Sequence, residues 1–214
     1  MPSWNWGTLR RLEPVSRVFG YDRGSPIDRY YIEAFLSRWD RDIAGRTLEI
    51  GDDAYTRRFG GGRATHRDVL HVHEGNPAAT IVGDLVSAPQ IPDETFDCLV
   101  LTQTLHLIYD LDAALRTIHR VLRPGGVVLA TFPGISQLSG DEWSATWSWG
   151  LSCRLAEEIF GRHFERSNVA VLGYGNSLAA ACFLHGVAAD ELSREQLDAP
   201  EDDCELLIGV RAVR

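Results

Sequence analysis

Residues 96–133 read FDCLVLTQTLHLIYDLDAALRTIHRVLRPGGVVLATFP, and this stretch limits the folds open to the chain more than any other. It holds two apolar runs, 96–102 and 127–132, on either side of one amphipathic segment. In 110–122, Leu111, Ala114, Leu115, Ile118, Val121 and Leu122 fall on one helical face. Pro124 cannot continue that helix, and the two glycines after it supply the turn. CLVL and VVLA carry no polar residue at alternate positions, so each strand is buried on both faces. A strand, a helix and a second strand of this kind make a parallel crossover unit.

The rest of the chain repeats the alternation. The apolar spacing of 27–39 predicts a helix, with Pro26 suited to its start. Short strands are predicted at 47–51, 68–72 and 79–84. Beyond residue 150 the order is a helix from SCRLAEEIFGRHF, a strand from NVAVLGYG, a helix from SLAAACFLHGVAADEL and a last strand from ELLIGVRAV. The expectation is one α/β domain with a mostly parallel sheet. The link HEGNPA between the second and third strands is too short for a crossover helix, so that helix is expected to be missing.

Composition excludes several partners. The 214 residues carry a formal net charge of -9, which disfavours nucleic acid and anionic membrane surfaces. No apolar run approaches the roughly 20 residues of a membrane span. The four scattered cysteines suit free thiols, and with no apolar leader the expected location is cytoplasmic. His71 and His73 have no partner at metal-ligand spacing, so no metal is expected.

In such sheets ligands sit at the carboxyl ends of the strands. That rule selects Gly51–Tyr55, His73–Gly75, Asp84–Leu85 and Thr102–His106. His106 suits a general base, and Gln103 and Tyr109 lie near it. Packing against the next helix is the competing role for His106. Trp143, Trp147 and Trp149 suit either an aromatic substrate wall or core packing.

The segment 96–134, with FDCLVLT before RVLRPGG, resembles the central part of class I S-adenosylmethionine-dependent methyltransferases. TLEIG and VGDL extend the resemblance over residues 45–214, which implies a Rossmann-like sheet with helices on both faces and an antiparallel last strand. Residues 1–44 would then be a cap over the site. The implied cofactor is S-adenosylmethionine. Its implied contacts are Glu49 and Gly51 in the first motif, Glu74 (or His73) at the ribose, Asp84 with Leu85 at the adenine, and Thr102 with Gln103 under the methionine portion. Arg29 or Arg23 suits its carboxylate and Tyr30 its sulfonium.

The usual Gly-x-Gly-x-Gly is here Gly51-Asp52-Asp53-Ala54-Tyr55. Asp53 therefore either faces the cationic end of the ligand or caps the following helix. The implied activity is methyl transfer to a small molecule or saccharide, at oxygen. The rival is an inert binding protein of the same fold.

Overall fold

The computed structural model describes residues 11–138 and 142–214. A single sheet of seven strands runs through it in the order β3-β2-β1-β4-β5-β7-β6. The strands are β1 (Gly45–Ile50), β2 (Ala64–His71), β3 (Ile81–Val82), β4 (Phe96–Thr102), β5 (Leu122–Pro133), β6 (Val169–Tyr174) and β7 (Leu207–Val213). Strands β1 to β5 pair in parallel, and β7 runs antiparallel to both β5 and β6. The helices are α1 (Ile27–Arg38), α2 (Leu111–Val121), α3 (Cys153–Phe160), α4 (Ser177–His185) and α5 (Arg194–Leu197).

The central strands alternate between two cores. Phe96, Leu99, Leu101, Val128 and Ala130 face one core, which α2 and α3 cover. Cys98, Val100, Val127 and Leu129 face the other, which α1 and α4 cover. This two-sided burial is why CLVL and VVLA show no polar alternation. Asp110 caps α2 by accepting from Ala113 N at 2.9 Å, as its position before the apolar stripe suggests.

Four boundaries depart from the sequence expectation. The segment predicted as a helix over 177–192 stops at His185, because Gly186 takes a left-handed φ of 73° and turns the chain out. Strand β3 shrinks to two residues. Strand β5 starts five residues early, at Leu122, beside Phe96 of β4. Strand β2 extends back to Ala64 to meet Gly45.

The link from β2 to β3 contains no helix, as its length dictates, and neither does the link from β3 to β4. The second link replaces a helix with side chains of its own. Leu85, Ala88 and Ile91 are buried in the α2 core. Arg120 of α2 holds the loop by donating to the carbonyls of Ala88 (2.8 Å) and Ile91 (2.7 Å). No described helix is long and apolar enough to cross a membrane.

Helix α1 packs its Phe35 against β7 at Gly209, where a Cβ would overlap the phenyl ring. Gly209→Ala should therefore lower stability by about 1–3 kcal/mol, the scale of over-packing a core. Urea unfolding measures it, and Phe35→Leu added to Gly209→Ala should recover part of the loss if the clash is the cause.

Candidate functional site

The carboxyl ends of β1, β4 and β5 and the segment before α1 meet at one end of the sheet. Two parts can be distinguished there, an open turn after β1 and a cavity beyond β4 and β5.

The turn after β1 is built around Glu49 and Gly51. Glu49 is buried, and its two carboxylate oxygens accept from Tyr55 N (3.2 Å) and Thr56 N (2.8 Å). It thereby caps the helical turn Thr56–Gly60 from beneath. Burial pushes its pKa up to about 7, against the pull of those N–H groups. Gly51 has φ 82°, and a Cβ placed on it would meet no atom within 4 Å. The backbone is therefore bare on that side, and glycine relieves the steric cost of the turn. Asn76 Nδ2 holds the Gly51 carbonyl at 2.6 Å.

Asp53 does not stand free in the turn. Its carboxylate takes Arg57 Nε at 2.7 Å and Arg67 Nε at 3.2 Å. The hydrogen bond and charge of Arg57, joined by Arg67, hold its pKa below the usual carboxylate range despite partial burial. The helix-cap side of the sequence expectation is also modified, since Ala54 N is taken by Asp52 Oδ1 at 2.8 Å. Glu74 is exposed in the turn after β2. Asp84 is exposed after β3, with Val86 N on its Oδ1 at 2.9 Å, and Leu85 beside it is core.

The cavity has a volume of about 720 Å³. Gln103, His106 and Arg29 line it, as do Asp28, Tyr21 and Trp147. Gln103 has a φ of 47°, rare for a residue with a side chain. Its N–H is fixed by the carbonyl and hydroxyl of Thr131, both at 3.1 Å, so β5 holds the strained turn in place. Such strain collects where a loop is shaped for a ligand. Thr102 ends β4 just before this turn.

His106 is 3% exposed, and its Nδ1 has no hydrogen-bond partner. Burial lowers its pKa to about 4. The Trp147 ring meets the imidazole edge at 4.4 Å, and the His106 carbonyl accepts from Ser148 N and Trp149 N. The 146–149 loop is thus fastened onto the β4 loop. The tryptophan expectation resolves for two residues: Trp147 lines the cavity, and Trp149 stacks on Tyr109. The Trp143 side chain lies outside the described residues.

Arg29 links the two parts. Its Nε donates to Tyr21 OH at 2.9 Å and its Nη1 to Tyr55 OH at 3.1 Å, so it joins the segment before α1 to the first loop. Burial by itself lowers its pKa, but Asp28, Tyr55 and Tyr21 outweigh it and the net shift is upward. Asp28 is its neighbour at the start of α1, and Asp28 Oδ1 is buried without a donor. Burial raises the Asp28 pKa against the attraction of Arg29.

Two sequence-predicted residues are not brought to the site. Tyr30 turns away from the position expected over a sulfonium. Its hydroxyl donates to Asp198 Oδ1 at 2.6 Å, and it lines a separate cavity, because one helical step from Arg29 rotates the side chain to another face of α1. Tyr109 is 82% exposed and lies outside the cavity lining, since its ring stacks on Trp149 instead. The residues that sequence reasoning missed are Asp28, Tyr21, Phe19, Phe183 and Ser136. Only the acid at a helix start gave a signal in Asp28, and it reads equally as a helix-dipole residue.

Comparison with known proteins agrees with this geometry. Residues 63–130 match the family model described as a methyltransferase domain. A stretch of 38 residues is 50% identical to the Escherichia coli ubiquinone/menaquinone biosynthesis C-methyltransferase UbiE. That match spans 18% of this chain and 15% of the relative's length. A methyltransferase structure from Archaeoglobus fulgidus aligns over 87% of this chain and 94% of its own, with a TM-score of 0.60 and 12% identity. One from Mesorhizobium loti covers 91% and 100%, with a TM-score of 0.55 and 16% identity. The Haemonchus contortus phosphoethanolamine N-methyltransferase 2, crystallised with S-adenosyl-L-methionine, covers 98% of this chain and 55% of its own at a TM-score of 0.58 and 16% identity.

The fold is that of class I S-adenosylmethionine-dependent methyltransferases, and residues 63–130 carry the methyltransferase-domain match. The bare backbone at Gly51 leaves that side of the turn open to a ligand.

The burial of His106 makes a pH prediction. A histidine whose folded pKa is depressed contributes stability above its unfolded value near 6.5 and loses it as pH falls toward about 4. The loss is on the order of 3 kcal/mol. His106→Phe should flatten that acid limb in chemical unfolding. In the parent, the imidazole resonances should stay those of the neutral ring until about pH 4.

Proposed function

We infer that the protein transfers a methyl group from S-adenosylmethionine to a small molecule held in the cavity beside Gln103 and His106. The observation that carries this reading is that Arg29 lines the cavity and is hydrogen-bonded through Tyr55 to the loop that begins at the open Gly51 turn. When bound, the cofactor supplies an electrophilic methyl group.

The chain's residues divide the work of holding it. The Gly51 turn leaves room for its chain, and Glu49 keeps that turn rigid from below. Glu74 accepts from the ribose hydroxyls. Asp84 flanks the adenine, while Leu85, buried in the α2 core, supports the loop from beneath. Thr102 and Gln103 carry the methionine portion, and Arg29 receives its carboxylate with the guanidinium nitrogen that Tyr21 and Tyr55 leave free. Asp53 acts through Arg57 and Arg67, as a brace of the first loop rather than a ligand contact. Residues 11–26 act as the cap, fastened by Arg23 to Glu191 at 2.6 Å and by Val15 N to the His185 carbonyl at 2.8 Å.

His106 is neutral at physiological pH and is available as a hydrogen-bond acceptor or proton acceptor beside the transferred group. Positioning supplies most of the rate in such a transfer, because the acceptor needs only an in-line approach to the methyl carbon. The cavity wall favours a molecule with an apolar body over a saccharide. Phe19, Leu107, Pro133, Phe183 and Leu206 offer nothing to a ring of hydroxyls.

S-adenosylhomocysteine at 100 times its Kd should stabilise the fold by about 2.7 kcal/mol. For a chain of this size that is a rise in Tm of roughly 5–10 °C. No shift in Tm at millimolar ligand sinks the reading. Arg29→Gln should weaken binding of the same ligand tenfold or more in calorimetry while leaving the far-ultraviolet circular dichroism intact. An unchanged affinity removes Arg29 from the cofactor site.

A further inference from the structure

The cavity wall holds two buried polar atoms without partners, Asp28 Oδ1 and His106 Nδ1. Native proteins satisfy nearly all such atoms, so each exception calls for a reason. Several charged and polar neighbours in the wall are engaged elsewhere. Arg29 is bonded to two tyrosines, Arg17 is paired with Glu13 at 4.0 Å, and Ser136 Oγ donates to the Gln137 carbonyl at 2.9 Å. The two exceptions stand in one cavity, among Phe19, Leu107, Phe183 and Leu206. An apolar chamber with a few unsatisfied polar groups is the form of a small-molecule site.

The chemistry of the two groups restricts what enters. The Arg29 guanidinium beside Asp28 favours its carboxylate form against burial, and a carboxylate only accepts hydrogen bonds. The missing partner of Asp28 is therefore a donor. Rotation about the last carboxyl bond is soft, so either oxygen can be turned to the occupant. His106 Nδ1 accepts or donates according to tautomer, and it sets no sign of its own. An anionic group at this place would meet a carboxylate at close range. Asp28 is moreover held rigidly, in the first turn of α1, whose Ile27 and Tyr31 on either side of it are core.

We propose that Asp28 is the residue that binds the methyl acceptor, receiving the hydrogen of a hydroxyl or amine carried by an uncharged or cationic molecule with an apolar, ring-sized body. The inference rests on the methyltransferase reading for the name "acceptor", though not for the site itself. It assigns the start of α1 a substrate role alongside the β4-loop residues. It also explains why a carboxyl group is kept buried beside an arginine that binds other partners.

The test uses 4-propylphenol, 4-propylaniline and 4-propylbenzoate as probes, titrated calorimetrically into the full-length protein saturated with S-adenosylhomocysteine. The phenol, the aniline or both should bind, and the benzoate should bind at least tenfold more weakly. The phenol and aniline arms distinguish hydroxyl from amine recognition. Asp28→Ala should weaken the bound probe tenfold or more, with S-adenosylhomocysteine affinity and Tm not lowered. Asp28→Asn, which keeps an accepting oxygen, should recover part of the affinity.

Equal probe affinity in Asp28→Ala, benzoate binding as tight as phenol, or no binding of either donor probe overturns the proposal. So does a fall in Tm of Asp28→Ala with unchanged probe binding, because Asp28 is then structural. If S-adenosylhomocysteine does not bind the parent, the methyltransferase reading fails first. The probe titrations repeated without it then still decide whether Asp28 makes a binding site.

Discussion

Cys98, Leu99, Val100 and Leu101 are all fully buried, although consecutive side chains of a strand point to opposite faces. A strand that is apolar on both faces has to sit inside a sheet covered on both sides, and the rest of the structure follows from that requirement. Strands β1 and β5 flank β4, α2 and α3 close one face, and α1 and α4 close the other. Only the ends of the central strands remain open to ligands. The carboxyl end of β4 carries Thr102, Gln103 and His106, so the constraint that builds the core also decides where the chemistry lies.

The half of the sheet toward β3 meets the same requirement with less chain. No helix joins β2 to β3 or β3 to β4. Leu85, Ala88 and Ile91 fill the core from an irregular loop, and Arg120 replaces helical hydrogen bonds by holding the loop carbonyls. The first loop is rebuilt in a comparable way. With only Gly51 kept of the glycine pattern, Glu49 anchors the next turn through Tyr55 N and Thr56 N, and Asp53 is locked between two arginines. Gly51 keeps its backbone bare, although Asp53 and Tyr55 follow where glycines would be expected. Tyr55 has gained a role from the change, since its hydroxyl carries Arg29 to the loop.

The cavity is less satisfied than the core around it. Each buried polar atom without a partner costs about 1–3 kcal/mol. Asp28 Oδ1 and His106 Nδ1 carry that cost side by side with a strained Gln103 backbone. Trp39 Nε1 and Thr56 Oγ1 are also without partners, but outside the cavity lining.

Much of this was legible in the residues. Apolar runs without alternation identified the buried parallel strands, and the stripe from Leu111 to Leu122 identified α2, because local periodicity and two-sided burial leave a direct mark on composition. The shortness of HEGNPA announced a missing helix from chain length alone. Gln103, His106 and Arg29, singled out by position after a strand or by a forked cation, line one cavity. The tertiary structure decided what has no local signature. It gave Asp53 to Arg57 and Arg67, one of them fourteen residues away. It turned Tyr30 toward Asp198, on the far side of α1 from Arg29. It brought Asp28, Tyr21, Phe183 and Trp147 to one chamber from segments more than 160 residues apart. Which side chains share a cavity depends on how helices rotate and pack against the sheet. No window of sequence contains that information, whereas the strands and helices themselves are written one segment at a time.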